Sequence, residues 1–340
     1  MHLTAFGREH LTEAAQLLAK RHQNERRRFP ELPGMFENEK QALKALTASF
    51  EQPLTHGMAA FKEGRMAAYL MAHVHTDSER GRNVRMAYPD LACGPGHADL
   101  FRDLYAEVAE DWLNIGCFSH YVYAPLGDPA LLSPWLNLGF AYQQAYAILD
   151  LRKWTGHSSV ETEFVFREAV VSDRQALRGA SGWISVHQSR SPGFVPILPE
   201  VSNEIEQGYE GMIDDENAKV WVAEHHGEMV GFQAYWPVEG TEDHIDSPEN
   251  AVELTVAATN PDFRNRGIAK GLTEFTLTRL KKTGIRYCVT NWYLLNLLSS
   301  RFWPKRGFQP YCYRLYRTID ANIFWANGTN GNLLKKMKKA

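Results

Sequence analysis

One order of elements occurs twice along this chain, and that duplication constrains the fold more than any composition does. In the first half, residues 58–61, the turn Lys62-Glu63-Gly64-Arg65 and residues 66–74 read as two antiparallel strands joined by a tight hairpin. Residues 219–224, the turn His225-His226-Gly227-Glu228 and residues 229–236 repeat it in the second half. A short strand and a helical region precede each hairpin. In the first half these are residues 3–6, then Ala14, Leu17, Leu18, Leu43 and Leu46 at helix spacing, broken at Arg26-Arg27-Arg28-Phe29-Pro30. In the second they are residues 164–171 and a helix start capped by Ser172. After the first hairpin come an extended stretch ended by Gly94-Pro95-Gly96, a helix over 98–114 with Leu100, Leu104, Val108 and Trp112 on one face, and a strand over 119–124. A helix reaching Leu138-Gly139 and a final strand over 140–151 complete that half. The second half answers with an apolar strand over 251–258, a helix over 268–282, a strand over 285–292, a helix from Asn296 to Arg306-Gly307 and a closing strand over 308–319. Even the endings align, Trp135-x-x-x-Gly139-Phe140 with Trp303-x-x-x-Gly307-Phe308.

A unit of about 150 residues is too long for a solenoid repeat of roughly 20 to 50. The reading is therefore two copies of one α/β (α+β) domain, each a mixed, mainly antiparallel sheet flanked by helices. The first domain is expected over 1–153, the second over 162–320, and a C-terminal tail over 321–340, with a linker-like Thr-Gly-His-Ser-Ser stretch at the join. With 44% apolar and 23% charged residues, each copy can bury a core of its own. The 37 Lys+Arg against 40 Asp+Glu leave no global field that would recruit a phosphate polymer, so a nucleic-acid partner is disfavoured. Cys93, Cys117, Cys288 and Cys312 include no C-x-x-C pair, which points to no metal, no disulfide framework and a reducing cytoplasmic compartment. The N-terminus lacks the basic start and apolar run of a signal peptide, and no segment reaches the roughly 18 apolar residues of a membrane span. The tail around Lys335, Lys336, Lys338 and Lys339 reads as a solvated end, with contact to an anionic surface as the alternative.

The sharpest constellation is Asn260-Pro261-Asp262-Phe263-Arg264-Asn265-Arg266-Gly267-Ile268-Ala269, which follows an apolar strand and opens a helix. A helix N-terminus leaves backbone N–H groups unpaired at the positive end of its dipole, so a loop entering it tightly can hold a phosphate. Gly267 and Ala269 are small, and Arg264, Arg266 and Lys270 add positive charge. No Lys-Ser/Thr pair of the Walker type is present, so a pyrophosphate used as a handle fits better than nucleotide hydrolysis. The alternative is an ordinary strand-to-helix turn with surface arginines.

The Arg264-x-x-Gly267-x-Ala269 spacing after a strand, together with Asn296-x-x-Ser299-x-x-Phe302-Trp303-Pro304-Lys305-Arg306-Gly307-Phe308, resembles the GNAT superfamily of acyl-CoA-dependent N-acyltransferases. The family's element order covers residues 164–320, and the first half follows it without the loop motif, so the resemblance implies two tandem GNAT-like domains with the first degenerate. It also implies acetyl-CoA as co-substrate. The backbone of Ala257, Ala258 and Thr259 would pair with the pantetheine arm, the N–H groups of Arg264, Asn265, Arg266, Gly267, Ile268 and Ala269 would hold the pyrophosphate, and Asn296 would contact the cofactor from the last helix. An extended amide chain can add to a strand edge as another strand would.

Transfer to an amine needs a base, because an alkylamine with a pKa near 10.4 is protonated at neutral pH. Glu253 stands amid the apolar residues 251–256, where a carboxylate needs a reason to be, and it precedes Arg264 by the spacing of a strand glutamate that serves as base in some family members. Its other reading is a residue facing solvent or paired with an arginine. Where many members carry a tyrosine that protonates the leaving thiolate, this chain has Trp303, so water, Tyr293 or Tyr311 would have to serve, with the indole packing on the cofactor or core. In the first half Leu91-Ala92-Cys93-Gly94-Pro95-Gly96-His97 lacks the spacing, and Pro95 removes a donor. That half is expected to be cofactor-free.

The expected activity is acetyl transfer from acetyl-CoA to a primary amine, of a small molecule or a peptide, by direct attack in a ternary complex. The rival reading is a non-catalytic acyl-CoA-binding sensor or interaction module. Trp183, Trp221, Trp236 and Trp292 read as pocket or core, and Asp214-Asp215-Glu216 with Glu239, Glu242, Asp243, Asp246 and Glu249 as an acidic rim for a cationic amine or a solvated loop. A tandem duplication can replace a homodimer or itself dimerise, which leaves a homodimer open.

Overall fold

The computed structural model describes residues 1–77, 81–156, 163–238 and 245–323. Most of the expected linker, the positions Glu239, Glu242 and Asp243, and the tail beyond residue 323 lie outside these. The chain forms two compact units, Met1–Gln23, Phe36–Tyr142 and Arg314–Ala340 in one, Asn24–Met35 and Gln143–Tyr313 in the other.

In chain order the elements are β1 (His2–Ala5), α1 (Leu11–Arg28), α2 (Glu39–Phe50), β2 (His56–Lys62), β3 (Arg65–Asp77), β4 (Gly81–Met86), β5 (Leu91–Cys93), α3 (Leu100–Asn114), β6 (Ser119–Pro125), α4 (Ser133–Asn137) and β7 (Ala141–Asp150). They continue with β8 (Val165–Glu168), α5 (Arg174–Ser189), α6 (Ser202–Gly211), β9 (Lys219–His225), β10 (Glu228–Pro237), β11 (Ala251–Thr259), α7 (Ile268–Lys282), β12 (Tyr287–Tyr293), α8 (Leu297–Phe302) and β13 (Gln309–Thr318). Both hairpins and the helix at 268–282 stand where periodicity and turn residues put them. The start of α5 differs from expectation. Ser172 does not cap it. Asp173 fixes the turn instead, accepting the Val170 N–H at 2.8 Å and a two-pronged bond from the Arg167 guanidinium at 2.7 and 2.9 Å.

The second unit's sheet runs β8-β9-β10-β11-β12-β7, antiparallel throughout except for the parallel pair β11 and β12. The first unit repeats this as β1-β2-β3-β4-β6, again with one parallel pair, β4 and β6. The closing strands are distributed unexpectedly. Residues 143–150 of β7 belong to the second unit, pairing with β12 from Tyr287↔Asp150 to Tyr293↔Gln144, whereas Arg314–Thr318 of β13 lie beside β6 in the first. Two similar copies offer similar pairing edges, and no local pattern tells a closing strand which edge it will join.

Both faces of the second unit's sheet are covered. Ile268, Leu272, Leu277 and Leu280 of α7 pack with Val252, Leu254, Trp221, Cys288, Trp292 and Trp303 on one side. On the other, Leu177 and Ala180 of α5 pack with Val220, Val222, Phe232 and Ala234. A bulge at Thr255 breaks β11, the register passing from Tyr235↔Leu254 to Ala234↔Val256. Pairing of β11 with β12 stops at the same point, at Leu254↔Thr290. Beyond it the two parallel strands part, and the gap between them is where the site lies.

Candidate active site

A cavity of about 440 Å³ opens in this gap. Its walls are the end of β11 with Ala257, Ala258 and Thr259, the loop and first turn of α7 from Phe263 to Lys270, the end of β12 with Asn291 and Tyr293, and α8 with Asn296 and Trp303. From the opposite face α5 contributes Trp183, Ile184, His187 and Gln188, one stripe at helix spacing. Thr290 Oγ1 donates to the Leu254 carbonyl at 2.8 Å, at the point where pairing ends.

The loop enters α7 through a tight turn. Asn260 caps a 3-10 turn over Pro261–Phe263, its Oδ1 accepting the Asp262 N–H. Asn265 and Gly267 then take positive φ, 65° and 86°, which turns the chain abruptly into α7. A Cβ on Gly267 would meet nothing within 4 Å, so the left-handed conformation rather than crowding calls for glycine there. No acidic residue occupies the first turn of α7, and the N–H groups of Asn265 through Lys270 find no acceptor among the described residues. Such a row of donors at the positive end of a 15-residue helix matches a diphosphate in charge and hydrogen-bonding capacity. Arg264 lines the cavity, its pKa lowered by burial and by the neighbouring Arg190, a second cation that the sequence reading missed. Arg266 lies outside it, its guanidinium 5.0 Å from the centre of the Phe263 ring.

Asn296 is the N-cap of α8. Its Oδ1 accepts the N–H groups of Leu298 at 3.1 Å and Ser299 at 3.2 Å, and it meets Nε2 of His187 at 3.0 Å. Trp303 is buried, edge-on to Phe302 and Phe308, and packs in the core while showing one side to the cavity. Tyr293 lines the cavity, whereas Tyr311 is buried away from its lining.

Glu253 is half-buried and is not part of the cavity wall, but the Asn291 amide that lines the wall donates to its Oε1 at 3.3 Å. Val252 and Leu254 pack into the α7 side, so alternation turns Glu253 toward the α5 face. Burial raises its pKa above the ordinary carboxyl value, a shift the Asn291 hydrogen bond only partly opposes. Two of the acidic residues expected near the cleft are engaged elsewhere: Asp214 takes both prongs of Arg174 at 2.5 and 2.6 Å, and Asp215 accepts the Trp236 indole N–H at 2.7 Å. Trp221 and Trp292 belong to the core, and Trp292 and Trp183 also reach the cavity.

The family model of the acetyltransferase (GNAT) family matches residues 183–308, the stretch that supplies nearly all of this cavity. These residues form a GNAT acetyltransferase domain. No curated protein matches the chain. Among solved structures it is similar to a tandem GNAT protein from the clavulanic acid biosynthesis pathway, with 14% identity and a TM-score of 0.51 over 93% of this chain and 98% of that one. It is also similar to a GCN5-related N-acetyltransferase from Sphaerobacter thermophilus, with 12% identity and a TM-score of 0.55 over 93% and 95% of the two chains. At such identities the likeness is one of fold, and it extends across both units: the tandem GNAT-like architecture is that of the whole chain. The match is thus one of residues 183–308, and the general chemistry of the family they match is acyl-CoA-dependent acetyl transfer.

The GNAT domain's counterpart can be aligned through its strand registers. The hairpins close at Lys62↔Arg65 and His225↔Glu228, which sets His73↔Arg85 against Trp236↔Glu253, and Leu91, Ala92 and Cys93 against Ala257, Ala258 and Thr259. Gly94 N–H bonds Ala67 as Asn260 N–H bonds Val230. From these points six positions lead from Gly94 to Leu100 but eight lead from Asn260 to Ile268, so the first unit's loop is shorter by two. Arg85 stands in place of Glu253. The Leu91 carbonyl, on the strand that would face pantetheine, already accepts from Arg21, whose guanidinium lies 4.5 Å from the centre of the Tyr88 ring.

Proposed function

We propose that the second unit transfers the acetyl group of acetyl-CoA to a primary amine, of a small molecule or a peptide, by direct attack in a ternary complex. The observation that carries this reading is the row of N–H groups from Asn265 to Lys270, unpaired among the described residues, at one end of a cavity whose other walls are an open strand edge and the α5 face. The loop would hold the pyrophosphate, and the backbone of Ala257, Ala258 and Thr259 would accept and donate along the pantetheine arm. Asn296 uses its Oδ1 in capping and in the bond to His187, so Nδ2, which has no acceptor among the described residues, would be the group left for the cofactor. Backbone donors at the bulged strand would stabilise charge on the thioester oxygen, a contribution that commonly exceeds any other single one. Glu253, whose carboxylate is destabilised by burial, would draw the first proton from the substrate ammonium through water at the Asn291 wall.

Calorimetric titration with acetyl-CoA and with CoA, alongside Gly267→Trp, tests the assignment. Binding at one site per chain, abolished in the variant by a strained positive φ and an indole over the N–H row, is expected. Equal affinity in the variant would remove the loop from the cofactor site.

A further inference from the structure

The domain lacks a tyrosine where GNAT enzymes commonly carry the acid for the leaving thiolate, and its cavity holds another group fitted for that task. The titratable side chains among the described residues lining the cavity are His187, Arg264, Lys270 and Tyr293. Of these residue types, histidine is the one that exchanges a proton readily near neutral pH. Its tautomer here follows from the contacts. Asn296 Oδ1 receives the N–H groups of both Leu298 and Ser299, which fixes that atom as the amide oxygen. An oxygen of this kind only accepts, so the His187 nitrogen 3.0 Å away donates, and Nε2 carries the hydrogen. Nδ1 is then the nitrogen with the lone pair, and it makes no hydrogen bond among the described residues. The same bond ties the ring to the N-cap of α8, the helix that ends at Trp303.

We propose that Nδ1 of His187 is the proton shuttle of the acetyl transfer, taking the second proton of the amine and passing it to the CoA sulfur. This rests on the proposed acetyl transfer. The substrate ammonium first loses one proton through water toward Glu253, and from there to solvent. The amine lone pair forms the C–N bond at the thioester carbon, giving an adduct whose nitrogen carries one proton too many. Nδ1 accepts that proton, and the C–S bond breaks with its electron pair on sulfur. The imidazolium returns the proton to the thiolate, leaving amide, free thiol and neutral His187. The other titratable groups around this position are Arg264 on the loop, Lys270 in the first turn of α7, Tyr293 on β12, Arg190, which follows the end of α5 and neighbours Arg264, and Glu253, bonded to Asn291.

The test uses the full chain with CoA itself as the first ligand. CoA binding is established by calorimetry, and ionisation of the bound thiol is followed by the ultraviolet absorbance of its thiolate in wild type, His187→Gln and Tyr293→Phe. Glutamine can keep the hydrogen bond to Asn296, so α5 and α8 remain tied. If His187 faces the sulfur, the bound thiol ionises at lower pH in wild type and in Tyr293→Phe than in His187→Gln, because the imidazolium stabilises the thiolate. With the best acceptor of an amine panel, His187→Gln should then lose about 10²-fold in kcat with an unchanged KM for acetyl-CoA, and added imidazole should restore part of it. The same thiol titration in wild type and His187→Gln overturns the proposal, and a shift in Tyr293→Phe alone transfers the role to Tyr293. Absence of CoA binding in wild type overturns the acetyl-transfer reading itself, and shows at the first step, before any variant is compared.

Discussion

At the scale of the residue, Glu253 carries a local cost. A carboxyl whose pKa is raised on folding contributes stability below its unfolded pKa, near 4.3, and loses it as pH rises through the folded value. At neutral pH the charged form is therefore a burden on the fold, caused by burial and only partly relieved by Asn291. Glu253→Gln is expected to raise the thermal midpoint at neutral pH while lowering turnover there. As a base acts only when deprotonated, wild-type activity should rise with pH through the same raised value, and the deficit of the variant should shrink at high pH, where the amine loses its proton unaided. A variant whose pH-rate profile parallels the wild type would take Glu253 out of the reaction.

At the scale of the element, the position of α7 depends on a buried polar network. Gln233 of β10 donates from Nε2 to Thr273 Oγ1 at 2.8 Å and accepts at Oε1 from Tyr235 at 2.8 Å and Thr276 at 3.0 Å. Thr273 in turn donates to the Ala269 carbonyl at 2.7 Å, in the first turn of the helix that presents the N–H row. All four side chains are buried, so each bond replaces one that water would otherwise make. Thr273→Val keeps the volume but strands the Gln233 amide, which should cost about 1–3 kcal/mol in denaturant unfolding. It should also weaken acetyl-CoA binding, since the first turn loses its tie to the sheet. Full affinity in a destabilised variant would show that the loop is held by its own backbone alone.

At the scale of the molecule, the two units differ at corresponding positions. The first unit's loop is shorter, Arg21 occupies the strand edge at Leu91, and Ser49, His73 and Asp90 form a buried cluster with the carboxylate 2.8 Å from the imidazole. One acetyl-CoA per chain is expected by calorimetry, and Pro95→Ala should leave that stoichiometry unchanged. Burial by itself would lower the pKa of His73, but Asp90 outweighs it and the net shift is upward. Such a histidine contributes stability that is complete below about pH 6.5 and is lost as pH rises through its raised folded value. The thermal midpoint should therefore fall from pH 6 toward pH 8, and His73→Gln should flatten that slope; an equal slope in the variant would assign it to other groups.

The duplicated order of elements, both hairpins, the helix at 268–282 and the tight glycine turn that opens it were legible in the sequence, because each is set by short-range physics: apolar periodicity and turn residues that accept positive φ. Asn296 was legible as the start of the last helix, although its bond to His187 was not. What the sequence could not supply was everything that depends on residues far apart in the chain meeting in space. His187 gave no signal beyond its place on the α5 stripe, since only packing brings it within 3.0 Å of Asn296, 109 positions away. Asp214 and Asp215 read as a rim or a solvated loop, and their partners Arg174 and Trp236 appear only in the folded chain. The closing strands carried the right β pattern, but pattern fixes only which residues face the core. Their choice of edge, like the parting of β11 and β12 that opens the cavity, is decided by long-range pairing in the folded chain.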